Sequence, residues 1–220
     1  MFTGIVQTTA KILATQTTDA GKRLTVERGG LKGDIVHGDS ICVSGVCLTA
    51  VDMTDDRLNF DVIHETLSKT TIGSLAVGDL VNLEPAVTPS QPMGGHFMQG
   101  HVDGLAVVEA IHTDRGEWRI TLKPESADLM AYIVPRGSVA IQGVSLTLAR
   151  VADDSFDVAL IPATLEMTTL GKLNVGDKVN IEADILAKTI VHQLQRVRGK
   201  ADKPTSGVTT DLLREAGFID

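Results

Sequence analysis

The chain has 220 residues, 43% hydrophobic and 22% charged, with 20 basic against 28 acidic side chains and a net charge of −8. This composition excludes wholesale disorder, and the acid excess with only 3% aromatic residues argues against a nucleic-acid binder, which needs a basic face and stacking platforms. No apolar run reaches the roughly 20 residues that span a bilayer, the opening residues lack a secretory layout, and two cysteines give no disulfide framework, so the expectation is a cytoplasmic protein without membrane or nucleic-acid partners.

In chain order, residues 39–51 form a β-branched run broken by Gly45. Residues 58–63 alternate apolar and polar, the period of a half-buried strand. A short helix is predicted over 65–72, then a turn at Val77-Gly78-Asp79 that leads into a strand. The stretch 94–103 is a glycine- and histidine-rich joint. The same succession then recurs: a run over 137–151, a helix over 163–170 and a turn at Val175-Gly176-Asp177. A further helix is expected near 125–132, with Ser126 as its cap. Over 185–198, Leu186, Ile190, Leu194 and Val197 make an apolar helical stripe, with Arg196, Arg198 and Lys200 at the end where cations suit the dipole. That helix has no copy in the first half, so its apolar face needs the second barrel or another subunit as partner. Residues 201–207 read as a polar linker and 210–218 as a short helix.

The recurrence is an internal duplication. Residues 67–84 match 165–182 at 11 of 18 positions. Ser40 through Thr49 reappears as Ser138 through Thr147, and Phe60-Asp61-Val62 as Phe156-Asp157-Val158. More weakly, Gly4-Ile5-Val6 recurs as Gly100-His101-Val102. Two long copies do not make a solenoid. They make two similar β domains, about 1–95 and 96–185, with turns that suggest small closed barrels.

Cys47 and Thr49 occupy the places of Ser145 and Thr147, so each copy presents two small polar side chains on one strand face. They form either a solvent-facing strand or a ligand-binding lip, where the edge beside Gly45 or Gly143 would admit a flat molecule. His96 and His101, flanked by glycines, suit a site where an imidazole reaches a ligand or serve structure alone. The spacing of Cys42, Cys47, His96 and His101 mimics zinc pairs, but no metal is assigned. Cys42 and Cys47 should face opposite ways on one strand-like run, and their counterparts are Ala140 and Ser145. No dinucleotide loop, phosphate loop, HExxH or GxSxG pattern is present.

The opening Met1-Phe2-Thr3-Gly4-Ile5-Val6, Gly45-Val46-Cys47-Leu48-Thr49, Gly94-Gly95-His96 with Gly100-His101-Val102-Asp103, Gly143-Val144-Ser145-Leu146-Thr147 and Ile161-Pro162-Ala163-Thr164-Leu165 together resemble the riboflavin synthases of the alpha-chain type. The resemblance runs to about residue 198. It implies a mainly β fold of two six-stranded Greek-key barrels, 1–95 and 96–185. It adds an oligomerisation helix over 186–200 that helps build a homotrimer, and leaves a tail over 201–220. It implies a site between the N-terminal barrel of one subunit and the C-terminal barrel of its neighbour. The substrate would be 6,7-dimethyl-8-ribityllumazine, two molecules per turnover, with no cofactor and no metal. Association with lumazine synthase is the implied protein partnership.

Carried over by resemblance, Gly4, Ile5, Val6, Cys47, Leu48 and Thr49 would line the first pocket near Ser40. Asp61, Val62, Ile63, His64, Glu65 and Thr66 would bind the ribityl chain and pyrimidine edge. The second pocket would hold Gly100, His101, Val102, Ser145, Leu146 and Thr147, then Ile161, Pro162, Ala163, Thr164, Leu165 and Glu166. His101 would transfer the proton or orient water, Cys47 and Ser40 would assist addition, Ser145 and Thr147 would share the chemistry, and Asp184 would act across the subunit interface. Arg136 replaces the usual lysine and fits a charge-holding role in substrate binding, because arginine does not readily act as a base. Gln142 replaces a common aspartate and removes a charge near the second pocket. Antenna proteins of the lumazine-protein type, which bind without turnover, are the rival; retention of Ser145, Thr147 and His101 favours the enzyme.

Overall fold

The computed structural model describes residues 1–114, 117–201 and 214. Strands β1 (Thr8–Thr18), β2 (Gly21–Glu27), β3 (Ser40–Val43), β4 (Val46–Met53), β5 (Arg57–Ile63) and β6 (Leu80–Pro85) close a barrel in the order β1-β2-β5-β4-β3-β6. A second barrel closes in the order β10-β11-β8-β7-β12-β9, from β7 (Gly104–Asp114), β8 (Glu117–Pro124), β9 (Ser138–Ile141), β10 (Val144–Val151), β11 (Phe156–Leu160) and β12 (Lys178–Ala183). All pairings are antiparallel and the order is that of a Greek key. Alternation explains the strands: Leu58, Phe60 and Val62 of β5 are buried, whereas Arg57, Asp61 and Ile63 are exposed. One apolar core fills each barrel. A third cluster of Phe2, Cys42, Met98 and Ala140 lies between them.

The β3–β4 and β9–β10 hairpins turn through Ser44-Gly45 and Gln142-Gly143, all four with positive φ, as a two-residue type I′ turn requires. The two turns pack on each other: a Cβ on Gly45 would stand 2.9 Å from the Gly143 nitrogen, and one on Gly143 would stand 2.6 Å from the Gly45 nitrogen. These glycines therefore admit each other and not a ligand, which corrects the expected open edge. Gln142 likewise faces the first barrel, its carbonyl accepting the Asn82 side-chain amide at 2.8 Å. The hairpin also corrects the cysteines. Cys42 is paired directly with Cys47, so the two share one face.

The predicted helices over 65–72 and 163–170 each break in two. Helix α1 (His64–Lys69) is followed by a 3-10 turn Thr71–Ser74, and α2 (Pro162–Met167) by Thr169–Lys172. The Thr70 hydroxyl donates to the Thr66 carbonyl at 2.7 Å and accepts from the Ile72 N–H at 3.3 Å, ending one helix and starting the next; Thr168 does the same. The segment near 125–132 is a 3-10 turn, Ala127–Tyr132, and Ser126 makes no side-chain cap bond.

The structure also corrects the repeat. Phe60 pairs with Ala50 and Leu24, and the residue in that position of the second barrel is Val158, paired with Leu148 and Ile120. Asp61 therefore corresponds to Ala159. Asp157 corresponds to Asn59, and each accepts a bond from a threonine on the neighbouring strand, Thr121 and Thr25.

Helix α3 (Ile185–Ala201) leaves Leu186, Ile190 and Leu194 at 57%, 60% and 55% exposure. The side chains of Val197, Arg198 and Lys200, the linker over 202–207 and, apart from Arg214, the helix expected over 210–218 lie outside what the structure describes. Among the described residues no helix is long and apolar enough to cross a membrane.

Candidate functional site

The β4–β5 ladder runs from Met53↔Leu58 to Ala50↔Phe60, through a register shift, and then stops. The strands part, so Cys47–Thr49 and Asp61–Ile63 have no partner across the seam. The β10–β11 ladder ends in the same way at Leu148↔Val158. A bulge beside a parted seam is a recurrent way to aim side chains at a ligand. Unpaired strand backbone can meet the alternating N–H and C=O groups on the edge of a flat heterocycle much as it meets an added strand.

Each seam has a small polar rim. On the outward face of β3 and β4, Ser40 lies opposite Thr49 and Cys42 opposite Cys47. In the second barrel Ser138 lies opposite Thr147 and Ala140 opposite Ser145. Leu48 and Leu146 point into the barrel cores instead. Burial pushes the Cys42 thiol well above its ordinary range, so Cys42 is a packed neutral thiol, while Cys47 is half-buried. Asp61 is gripped by Nε and Nη2 of Arg23, each at 2.7 Å, which holds its carboxyl below the usual range. With Val62 and Ile63 they line a cavity of about 400 Å³. In the second barrel Arg119 faces Ala159 in register, so that site lacks the pair.

The entering segments exchange barrels. The Gly4 carbonyl accepts the Ser145 N–H at 2.9 Å, and Val6 packs in the second core. The Gly100 carbonyl accepts the Cys47 N–H at 2.8 Å, and Val102 packs against the first core. Residues 4–6 thus accompany Ser145 and Thr147, and residues 100–102, with exposed His101, accompany Cys47 and Thr49. The resemblance set residues 4–6 beside Cys47 and Thr49 and residues 100–102 beside Ser145 and Thr147, whereas in the structure the two segments cross at the Phe2–Met98 bridge and each packs against the other barrel.

Beside the parted seam of the second barrel the Ser145 hydroxyl lies 2.7 Å from His96 Nδ1. Burial pushes the imidazole below its ordinary range, and Asp184 pulls the other way. The ring tautomer sets which of the two donates in the Nδ1–Ser145 hydrogen bond, and the buried Nε2 meets no described residue. Asp184 also caps α3 by accepting the Leu186 N–H at 2.9 Å. The sequence singled out the histidine motif but preferred His101; only the fold sets His96 on Ser145. A chain that unfolds gains a proton on His96 that the folded protein refuses. The neutral ring therefore adds stability present above the unfolded histidine value and lost as pH falls through the lower folded value. NMR titration of His96 is expected to give a midpoint below about 6.5, and a midpoint at or above it would contradict the buried neutral ring.

Glu65 and Thr66 lie on α1 at the end of β5, Glu65 being tied to Lys69 at 2.8 Å. Pro162, Ala163, Thr164, Leu165 and Glu166 take the matching place on α2, after exposed Ile161. Arg136 stands at φ +64 in a turn closed by the Gly137 N–H on the Val134 carbonyl at 2.8 Å. A left-handed arginine is an uncommon, strained residue of the sort found at working sites. A cleft of about 640 Å³ between the barrels, lined by Thr71, Thr169, Lys172 and Lys178 among others, holds none of the expected site residues. No group of three or more His, Cys, Asp or Glu placed to hold a metal occurs among the described residues.

Sequence reasoning also missed Asn82 and Asn180. Each accepts a backbone N–H from the 3-10 turn of the opposite barrel, Thr169 and Thr71, at 2.8 Å. Their signal was available: a polar residue repeated inside an apolar strand.

The lumazine binding domain family matches residues 3–86 and 99–184. The riboflavin synthase of Actinobacillus pleuropneumoniae is 37% identical over 220 residues, covering 99% of this chain and 100% of its own. That of Escherichia coli (strain K12) is 40% identical over 198 residues, covering 90% and 93%. Among solved structures, LumP complexed with 6,7-dimethyl-8-(1'-D-ribityl) lumazine superposes with a TM-score of 0.72 at 28% identity, covering 83% of this chain and 99% of its own.

Proposed function

The chain belongs to the riboflavin synthase family, built on paired lumazine-binding domains, and from this premise we infer its reaction. It is a transferase of riboflavin biosynthesis. Two molecules of 6,7-dimethyl-8-ribityllumazine dismutate by transfer of a four-carbon unit, giving riboflavin and 5-amino-6-(D-ribitylamino)uracil. The products contain every atom of the two substrates, so the balance calls for no external oxidant or reductant. One observation carries the reading: each barrel has a parted seam with a similar small polar rim, and a reaction between two copies of one substrate needs two related pockets. Holding both molecules in attack geometry removes much of the entropy of a two-body encounter.

In this reading the halves 1–95 and 96–185 supply one pocket each. Cys47, Thr49, Ser40 and the segment 100–102 serve the first, with Asp61, Ile63, Glu65 and Thr66 toward the ribityl chain. Ser145, Thr147, His96 and the segment 4–6 serve the second, with residues 161–166 in the matching role and Arg136 holding charge. His101 or the neutral His96–Ser145 pair takes the methyl proton, and Cys47 or water adds to the partner ring. Within one chain the pockets sit on separate barrels. A homotrimer assembled through α3 would set the first pocket of one subunit against the second of its neighbour, with Asp184 at the seam. A cytoplasmic location and association with lumazine synthase complete the reading.

Purified protein mixed with the lumazine substrate and nothing else is expected to form riboflavin and the pyrimidine. Tight binding without product would favour the antenna function instead.

A further inference from the structure

Two buried carboxylates take no part in the chemistry above. We propose that Glu84 and Glu182 are positioning residues, each fixing the segment that completes the opposite barrel's pocket. Glu84 Oε1 accepts the Thr3 N–H at 2.7 Å and the Thr3 hydroxyl at 2.8 Å, and its Oε2 accepts the Gly4 N–H at 3.0 Å. Glu182 Oε1 accepts the Gln99 N–H at 2.7 Å, and its Oε2 accepts the N–H groups of Gly100 and His101 at 2.9 and 3.1 Å. One bond further on, Gly4 holds Ser145 and Gly100 holds Cys47. The carboxylates therefore reach the two pockets through a chain of backbone hydrogen bonds.

Both side chains are almost fully buried, at 4% and 2% exposure, and among the described residues neither forms a salt bridge. Packing alone does not call for a charge there, since apolar residues of similar volume usually serve a buried position as well or better. An ionised carboxylate is an acceptor at both oxygens, which is what three converging donors need. The apolar cores of the two barrels are built from other residues. The segments the glutamates hold end in exposed side chains, Ile5 and His101, which the cores do not fix. The arrangement occurs in both halves: the N–H groups of Thr3 and Gly4 on Glu84 match those of Gln99 and Gly100 on Glu182, and the third donor differs, the Thr3 hydroxyl in one and the His101 N–H in the other.

This inference rests on the proposed reaction, and its test keeps the two apart. Glu84→Gln and Glu182→Gln keep size but place an NH₂ group against an N–H donor. In the full-length variants kcat is expected to fall about 10- to 100-fold while KM moves less than about threefold and the eluted mass stays that of the parent. A folded variant with kcat within about twofold of the parent, or one whose loss lies in KM alone, would overturn the role. If a glutamine variant does not fold, Thr3→Val decides: loss of its hydroxyl bond to Glu84 should lower kcat about three- to tenfold, and an unchanged kcat would overturn the role. Failure of the reaction itself would be seen separately, as no riboflavin from the parent protein.

Discussion

Gly100→Ala is expected to lower kcat/KM by about 100-fold or more, equivalent to about 2.7 kcal/mol of lost transition-state stabilisation. Gly100 has φ +77, where a non-glycine residue is strained. A Cβ there would stand 2.6 Å from the Cys47 Cβ and 2.8 Å from its nitrogen. Strand backbone cannot yield at that distance, so the segment must lift from β4. The Gly100–Cys47 bond and the hold of Glu182 on His101 would go with it. Gly78 supplies the control. It has φ +97 with nothing within 4 Å of a Cβ, so Gly78→Ala brings only the backbone strain, about 1 kcal/mol of stability, and no loss of turnover. Equal kcat/KM for Gly100→Ala and the parent would place the exchanged segment outside the pocket.

Ending the chain after Asp184 is expected to reduce the proposed homotrimer to single chains and to remove at least about 99% of turnover. Leu186, Ile190 and Leu194 are more than half exposed in the isolated chain. Burying three such side chains against a partner is worth several kcal/mol per helix, at about 1.5–3 kcal/mol each for full burial. The truncation also removes Lys188, whose ammonium bridges both oxygens of Asp103 at 2.9 Å, two residues beyond His101. Size-exclusion chromatography with light scattering reads the outcome. An unchanged mass would remove α3 from assembly.

Much of this fold was legible in the residues because local chemistry and global fold agree. The β-branched runs broken by one glycine became type I′ hairpins, and the stripe over 186–194 became α3. Local identity misled where spacing changed. The Phe-Asp-Val match aligns at an offset of 156 − 60 = 96, yet the strands that carry it align at 98, as Ile63 and Ile161 before the two helices show. Asp157 thereby looked like a partner of Asp61 and is instead a buried acceptor for Thr121. The site was legible as residue types and not as groupings. Cys47, Thr49, Ser145 and Thr147 announced two similar rims, but no local pattern says that residues 4–6 belong with Ser145. That follows from a crossing of chain segments, held by backbone hydrogen bonds that leave no trace in side-chain order. Glu84 and Glu182 closed the best-matched stretch of the repeat, where a shared acid could have been read as a shared task.

The central claim is that every chain carries two lumazine pockets, one on each barrel. Equilibrium dialysis with a lumazine analogue lacking the acidic methyl, which binds without reacting, counts them directly. Two molecules held per chain are predicted, and saturation at one would contradict the account.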